Sequence, residues 1–172
     1  MGKRSAFVRV PRDSYNTPAK AVEPLLPWLQ PGTRFIEPCY GRGDLANRLQ
    51  GAGHVMTAGF ELPFDARVNR YVVMSGEVFI TNPPYWGRPV DLHPLIENLS
   101  NQAPTWLLMS ADWLFNVGSA PLMPRLRRIV AVGRVKWIPG SPHVAKDNAA
   151  WLLFKRPTAG VTGPTTFYGR RP

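Results

Sequence analysis

Apolar and polar positions alternate between two periods along this chain. Thr33-Arg34-Phe35-Ile36-Glu37, His54 to Phe60, Val78 to Thr81, Thr105 to Met109 and Ala149 to Phe154 are short β-type runs bounded by glycine, proline or polar clusters. Tyr71-Val72-Val73-Met74 predicts a further strand, and Ile129 to Val132 with Val135 to Ile138 predicts one broken strand or two short ones. Between these runs the period lengthens. Leu92, Leu95, Ile96 and Leu99 stand at i, i+3, i+4 and i+7, an amphipathic helix. Ala19 to Leu29 carries a partial stripe broken by Pro24 and Pro27, so a short or kinked helix is expected, with Thr17 as N-cap and Pro18 at its first position. A short helix follows Asp44, and Leu122 to Arg128 predicts a basic helix. Strands alternating with helices over 172 residues predict one α/β domain over residues 1–154. A basic arm (residues 1–12) precedes its core, and a basic, flexible tail (residues 155–172) follows it.

Composition adds one strong constraint. Lys and Arg number 21 against 11 acids, a formal charge of +10, which favours a polyanionic partner through counterion release. No run of apolar residues reaches the length of a membrane span, so no membrane partner is expected. The single cysteine, Cys39, permits no internal disulfide and fits a reducing, cytoplasmic setting. His54, His93 and His143 are scattered, and no metal site is expected.

Two turns carry chemistry. Thr81-Asn82-Pro83-Pro84-Tyr85-Trp86 leaves a strand and meets two prolines, so neither ladder nor helix continues. The rigid turn offers the Asn82 amide, the Pro83 carbonyl and the Tyr85 ring to whatever lies above the sheet, a set suited to a planar group bearing an amine. The alternative is a proline-rich turn with a buried tyrosine. Glu37-Pro38-Cys39-Tyr40-Gly41-Arg42-Gly43-Asp44 is a strand end, a glycine turn and a helix start, the sequence of a ligand cradle. Glu61, with Leu62, lies about 20 residues beyond it, where such folds bind ribose hydroxyls. A solvated loop glutamate is the alternative there.

In this order and spacing the motifs resemble those of S-adenosylmethionine-dependent amino-methyltransferases of the DNA adenine-N6 group, over most of residues 13–154. Asn82-Pro83-Pro84-Tyr85 looks like that family's catalytic motif, and Glu37 to Gly43 looks like its cofactor motif. Tyr15-Asn16-Thr17-Pro18 is similar to the motif that closes over the methionine part of the cofactor. Val135 to Phe154, with Trp137 and Lys146-Asp147-Asn148-Ala149-Ala150-Trp151, resembles the C-terminal strands and base-flanking loop of small phage-type members lacking a separate target-recognition domain. The resemblance implies a Rossmann-like, mostly parallel sheet of seven strands with an antiparallel last strand and helices on both faces.

It also implies S-adenosyl-L-methionine as cofactor, held by Tyr15, Thr17, Pro18, Glu37, Pro38, Cys39, Gly41, Gly43, Glu61, Leu62 and Asn82. Within that set Glu37 would orient the methionine amino group and Glu61 the ribose. Asn82, Pro83, Pro84 and Tyr85 would be catalytic, acting on the N6 amine of a flipped adenine in DNA. The expected nucleic-acid contacts are Trp86, Arg125, Arg128, Lys136, Trp137, His143 and Lys146, with Arg127 a further candidate. An enzyme acting inside a bacterial host and encoded by a virus fits this form. RNA base methylation, or a non-catalytic nucleic-acid-binding module on the same fold, are the other readings. One departure stands out: the family places an acid at the tip of its third strand, against the cofactor adenine, and Val72-Val73-Met74-Ser75 has none, while Asp65 lies too early in the chain to be assigned that role.

Overall fold

A computed structural model describes residues 16–84, 92–138, 145–158 and 165–169. They form a seven-stranded sheet: β1 (Arg34–Glu37), β2 (Val55–Gly59), β3 (Val78–Thr81), β4 (Thr105–Ser110), β5 (Leu126–Arg134), β6 (Asn148–Phe154) and β7 (Thr166–Tyr168). The strand order is β2-β1-β3-β4-β6-β5-β7. β1 pairs in parallel with β2 and β3, and β3 with β4. β6 runs antiparallel between β4 and β5, so the expected antiparallel strand is the Ala149–Phe154 run. It is not the last, because β7 follows and pairs in parallel with β5.

The period-two burial expected of strands sorts the core into two layers. Phe35, Ile80, Trp106, Leu108 and Trp151 pack on one face with Ala21 and Val22 of α1 (Ala19–Val22) and Leu45 and Leu49 of α2 (Asp44–Gly51). Ile36, Phe79, Leu107, Met109 and Leu152 pack on the other with Leu95, Ile96 and Leu99 of α3 (His93–Gln102). Helices therefore cover both faces, and β4 is buried along nearly its whole length as its apolar run predicted. The Trp151 indole N–H donates to Ala21 O at 2.7 Å, fastening α1 to β6.

Several expectations are corrected. The proline-interrupted stripe after Pro18 splits into α1 and a 3₁₀ turn, Leu26–Trp28. Pro18 itself is the N-cap, and Thr17 makes no cap bond. Tyr71–Met74 forms no strand. The Tyr71 N–H donates to Gln102 Oε1 at 2.8 Å and the Met74 N–H to Glu77 Oε2 at 2.9 Å, so side chains take the amides a neighbouring strand would have used. β2 is left as the edge.

The basic helix over Leu122–Arg128 is instead the end of a 3₁₀ segment (Val117–Arg125) running into β5. Pro121 and Pro124 lack the amides an α-helix needs there, and the apolar run after Arg128 favours a strand. Val135–Ile138 forms no strand. Within the tail, Tyr168 stacks on Trp28 (ring centroids 3.7 Å apart), with the Arg128 guanidinium 5.2 Å and 5.5 Å from the two ring centres. Together with the parallel ladder to β5, this cation–π contact docks this stretch of the tail.

Candidate active site

Parallel β1 to β4 all end at one edge of the sheet. β1 connects to β2 on one side and is flanked by β3 on the other, so the topology reverses between β1 and β3, where open α/β sheets form their ligand crevice. A cleft of about 330 Å³ lies there. Of the expected residues, Thr17, Glu37, Pro38, Cys39, Gly41, Glu61, Leu62, Asn82 and Pro84 line it together. Pro18 caps α1, Gly43 caps α2 and Pro83 is buried in the turn; none of the three is among the lining residues. Tyr15, Tyr85, Trp86 and His143 lie outside the described residues.

Glu37 ends β1 and is 2% exposed. A backbone hydrogen bond from Ala46, in the first turn of α2, reaches its carboxyl group, which thereby caps a helix whose N-cap is a glycine. Its Oε2 is buried with no partner. Burial pushes its pKa up to about 9; the Ala46 bond opposes this, and the nearby Glu61 and Asp44 charges add to it. A buried carboxyl with one oxygen unmatched, opening on a cleft, is built to meet a cation.

Asn82 is its counterpart at the end of β3. The Asn82 Nδ2–H donates to Thr17 Oγ1 at 3.2 Å, and Oδ1 is buried without a partner. Thr17 thus serves the cleft rather than α1. With Nδ2 engaged, the acceptor is the free end of the amide, which suits a ligand N–H.

The remaining wall is a loop after β2. β1–β2 pairing continues past the strands through Phe60 N–H to Glu37 O (2.9 Å) and Tyr40 N–H to Phe60 O (2.8 Å). This brings Glu61 against the glycine turn, where Oε2 accepts from the Gly41 N–H at 2.7 Å. Gly41 has φ +54° and lines the cleft. Gly43 and Gly59 serve Tyr40 instead: a Cβ on Gly43 would stand 2.5 Å from the Tyr40 hydroxyl, and one on Gly59 2.7 Å from its ring. Gly59→Ala is therefore expected to cost about 1–3 kcal/mol of stability by overpacking, read as a lower urea midpoint.

Sequence reasoning missed the far end of this loop. Phe64 and Asp65 line the cleft, and the Asp65 carboxylate is gripped by Arg67 through Nε (2.9 and 3.0 Å) and Nη2 (2.6 Å). The hydrogen bonds from Arg67 hold Asp65 below the usual carboxylate range. An Asp-x-Arg triplet in a polar loop gives no sequence signal that separates it from a surface ion pair. Leu92, the N-cap of α3, and Leu95 within it also line the cleft. Cys39 also lines it, its thiol pushed up to about 12 by burial, so it stays a thiol.

The expected nucleic-acid residues divide. Lys136 and Trp137 follow β5, and Lys146 precedes β6, at the end of the sheet that carries the cleft. Arg125 stands at the opposite end, where Nη1 donates to Ser100 Oγ (3.0 Å) and Asn101 Oδ1 (2.8 Å). Arg128 lies against the stacked rings of Trp28 and Tyr168. Neither is brought to the cleft. Among the described residues, no helix is long and apolar enough to cross a membrane, and no group of His, Cys, Asp and Glu could hold a metal ion.

No protein-family model matches the sequence, and no curated protein matches it. Solved structures do match the fold. A protein described as a class I S-adenosylmethionine-dependent methyltransferase from Listeria monocytogenes superposes over 88% of this chain and 62% of its own, at 11% identity and TM-score 0.50. One described as an RNA methyltransferase from Pyrococcus horikoshii matches over 84% and 87%, at 16% identity and TM-score 0.55. The type I restriction-modification methyltransferase subunit from Streptococcus thermophilus matches over 83% and 45%, at 12% identity and TM-score 0.50. The chain thus spans less than two thirds of the first and third of these. At such identities the likeness is one of fold, and the fold is the Rossmann-like methyltransferase sheet.

Proposed function

We propose that this protein is an S-adenosylmethionine-dependent methyltransferase that modifies an exocyclic amine of a nucleobase, the N6 amine of adenine in DNA. The observation that carries the reading is the pair of unmatched buried acceptors, Glu37 Oε2 and Asn82 Oδ1, opening on one cleft at the switch point of a methyltransferase sheet. The first suits the cofactor's ammonium group and the second the amine to be methylated.

When bound, the cofactor supplies an electrophilic methyl group on a sulfonium whose departure needs no metal or covalent help. Glu37 would hold the amino-acid end, Glu61 the ribose hydroxyls, and Leu62 and Phe64 the walls of the adenine slot, with Asp65 supplying the acid that the third strand lacks. An aromatic amine is a poor nucleophile because its lone pair is delocalised into the ring. Asn82 Oδ1 and the Pro83 carbonyl, by accepting its hydrogens, favour the pyramidal nitrogen of the transition state over the planar ground state. The cleft otherwise works by alignment. A base inside a duplex cannot reach such a cleft and has to be flipped out, with Tyr85 as its stacking partner. The charge of +10, with Lys136 and Lys146 at the cleft end, supports a polyanionic substrate.

RNA is the second reading, supported by the likeness to the Pyrococcus horikoshii protein. Labelled S-adenosylmethionine offered with DNA and with RNA, followed by nucleoside mass spectrometry, separates the two. N6-methyladenine in DNA alone is the expected product. Calorimetry tests the cofactor directly: no heat of binding at millimolar concentration would remove the enzyme reading.

A further inference from the structure

The loop after β2 reaches the cleft without a strand to carry it, and α3 holds it there. Asn98 and Gln102, four residues apart on that helix and both half-buried, share a face with Leu95. The Asn98 Nδ2 amide donates to two carbonyls of one turn, Ala66 O at 3.0 Å and Asn69 O at 2.7 Å. Gln102 Nε2 donates to the same Asn69 O at 3.2 Å and to Asn98 Oδ1 at 3.2 Å, while its Oε1 takes the Tyr71 N–H. Ala66, buried, packs with Leu95, Ile96 and Leu99 of the same helix.

What the turn carries into the cleft is Asp65. Its carbonyl accepts from the Val68 and Asn69 N–H groups at 3.1 and 3.0 Å, so Asp65 opens the turn that Asn98 grips at Ala66 and Asn69. Its carboxylate accepts from the Arg67 backbone N–H at 2.9 Å, from Nε, which is shared between both oxygens, and from Nη2. An ionised carboxylate has about four acceptor sites, so these N–H groups leave roughly one for a ligand. Asn98 itself is not among the residues lining the cleft.

We propose that Asn98 is a positioning residue for the nucleoside end of the cofactor: by gripping the Ala66 and Asn69 carbonyls it holds the Asp65 carboxylate where it accepts from the adenine amine, in place of the strand that Tyr71–Met74 does not form. The inference rests on the cofactor reading above. A hydrogen bond is lost within about 1 Å of displacement, so a turn released from α3 forfeits the contact without unfolding. The contact also discriminates. A 6-oxo base presents an oxygen where adenine presents its amine, and that oxygen meets the carboxylate with no hydrogen between them.

The test measures, by calorimetry on the full chain, binding of S-adenosylhomocysteine and of its 6-oxo (inosine) counterpart. The proteins compared are the parent, Asn98→Leu, Asp65→Ala and the Asp65→Ala/Asn98→Leu double variant. The parent is expected to prefer the adenosine form by about tenfold or more. Asn98→Leu should weaken the adenosine form by about tenfold and the inosine form by less than about twofold, and should cost nothing further when added to Asp65→Ala. Gln102→Met, which leaves the Asn98 amide in place, should shift the preference the same way by a smaller factor, and it carries the test if Asn98→Leu does not fold. Equal losses on both ligands, no loss on either, or a full further loss in the Asp65→Ala background overturn the inference. So does a parent that binds both forms equally, which leaves the cofactor reading standing. If the parent binds neither form, the methyltransferase reading fails and the inference with it.

Discussion

Asn82→Ala is expected to slow methyl transfer by about 10²–10³-fold while leaving cofactor affinity within about threefold of the parent. The variant removes an acceptor whose oxygen no protein donor engages, so the fold loses little. It also frees Thr17 Oγ1, whose partner at 3.2 Å is the Asn82 amide; at the cleft wall, water can replace that bond. The loss should fall on kcat rather than KM, because the acceptor is matched best in the transition state. Single-turnover rates with labelled cofactor measure the first quantity and calorimetry the second. A variant that transfers methyl groups at the parental rate would show that the amine is bound elsewhere.

Glu37→Gln is expected to do two opposite things. In the free protein Glu37 keeps its proton up to about pH 9, whereas in the unfolded chain it gives the proton up near 4.5. Between those values the folded state holds a proton that the unfolded state has released, so stability falls as pH rises through that window. Glutamine, close in shape to the protonated acid, removes the penalty. The gain is on the order of 3 kcal/mol at pH 7 and vanishes towards pH 4.5. Urea melts of both proteins at pH 5 and pH 7.5 check this: the gap should widen with pH. Cofactor affinity should fall about 30- to 150-fold, since the variant cannot present a carboxylate to an ammonium group. Parental binding should release a proton near neutral pH, visible as buffer-dependent heats in calorimetry, and the variant should release none.

What the sequence disclosed and what it hid divide along a physical line. β1, β3, β4, β6 and α3 were legible because each buries a periodic apolar set, and periodicity is local information. The convergence of Glu37, Glu61 and Asn82 was legible too, because parallel strands put their C-terminal turns on one edge. Tyr71–Met74 misled for a non-local reason. Its alternation reports a chain with one side against the protein, with Val72 88% exposed, but the Tyr71 and Met74 amides go to Gln102 and Glu77. β7 was hidden in the same way, since its three residues dock through a ladder to β5 and through the meeting of Arg128, Trp28 and Tyr168 from three distant parts of the chain. Asp65 and Arg67 reached the cleft through a loop path that no pattern encodes.

The bond between Asn82 and Thr17 ties together two properties of the cleft that could have been independent. Thr17 belongs to the segment entering α1, and it lines the cleft wall; Asn82 presents the acceptor. Whatever displaces Thr17 also releases the amide to rotate, and a rotated amide would show the cleft an N–H in place of the oxygen. The position of Thr17 and the polarity that Asn82 shows to the cleft are therefore coupled through one hydrogen bond.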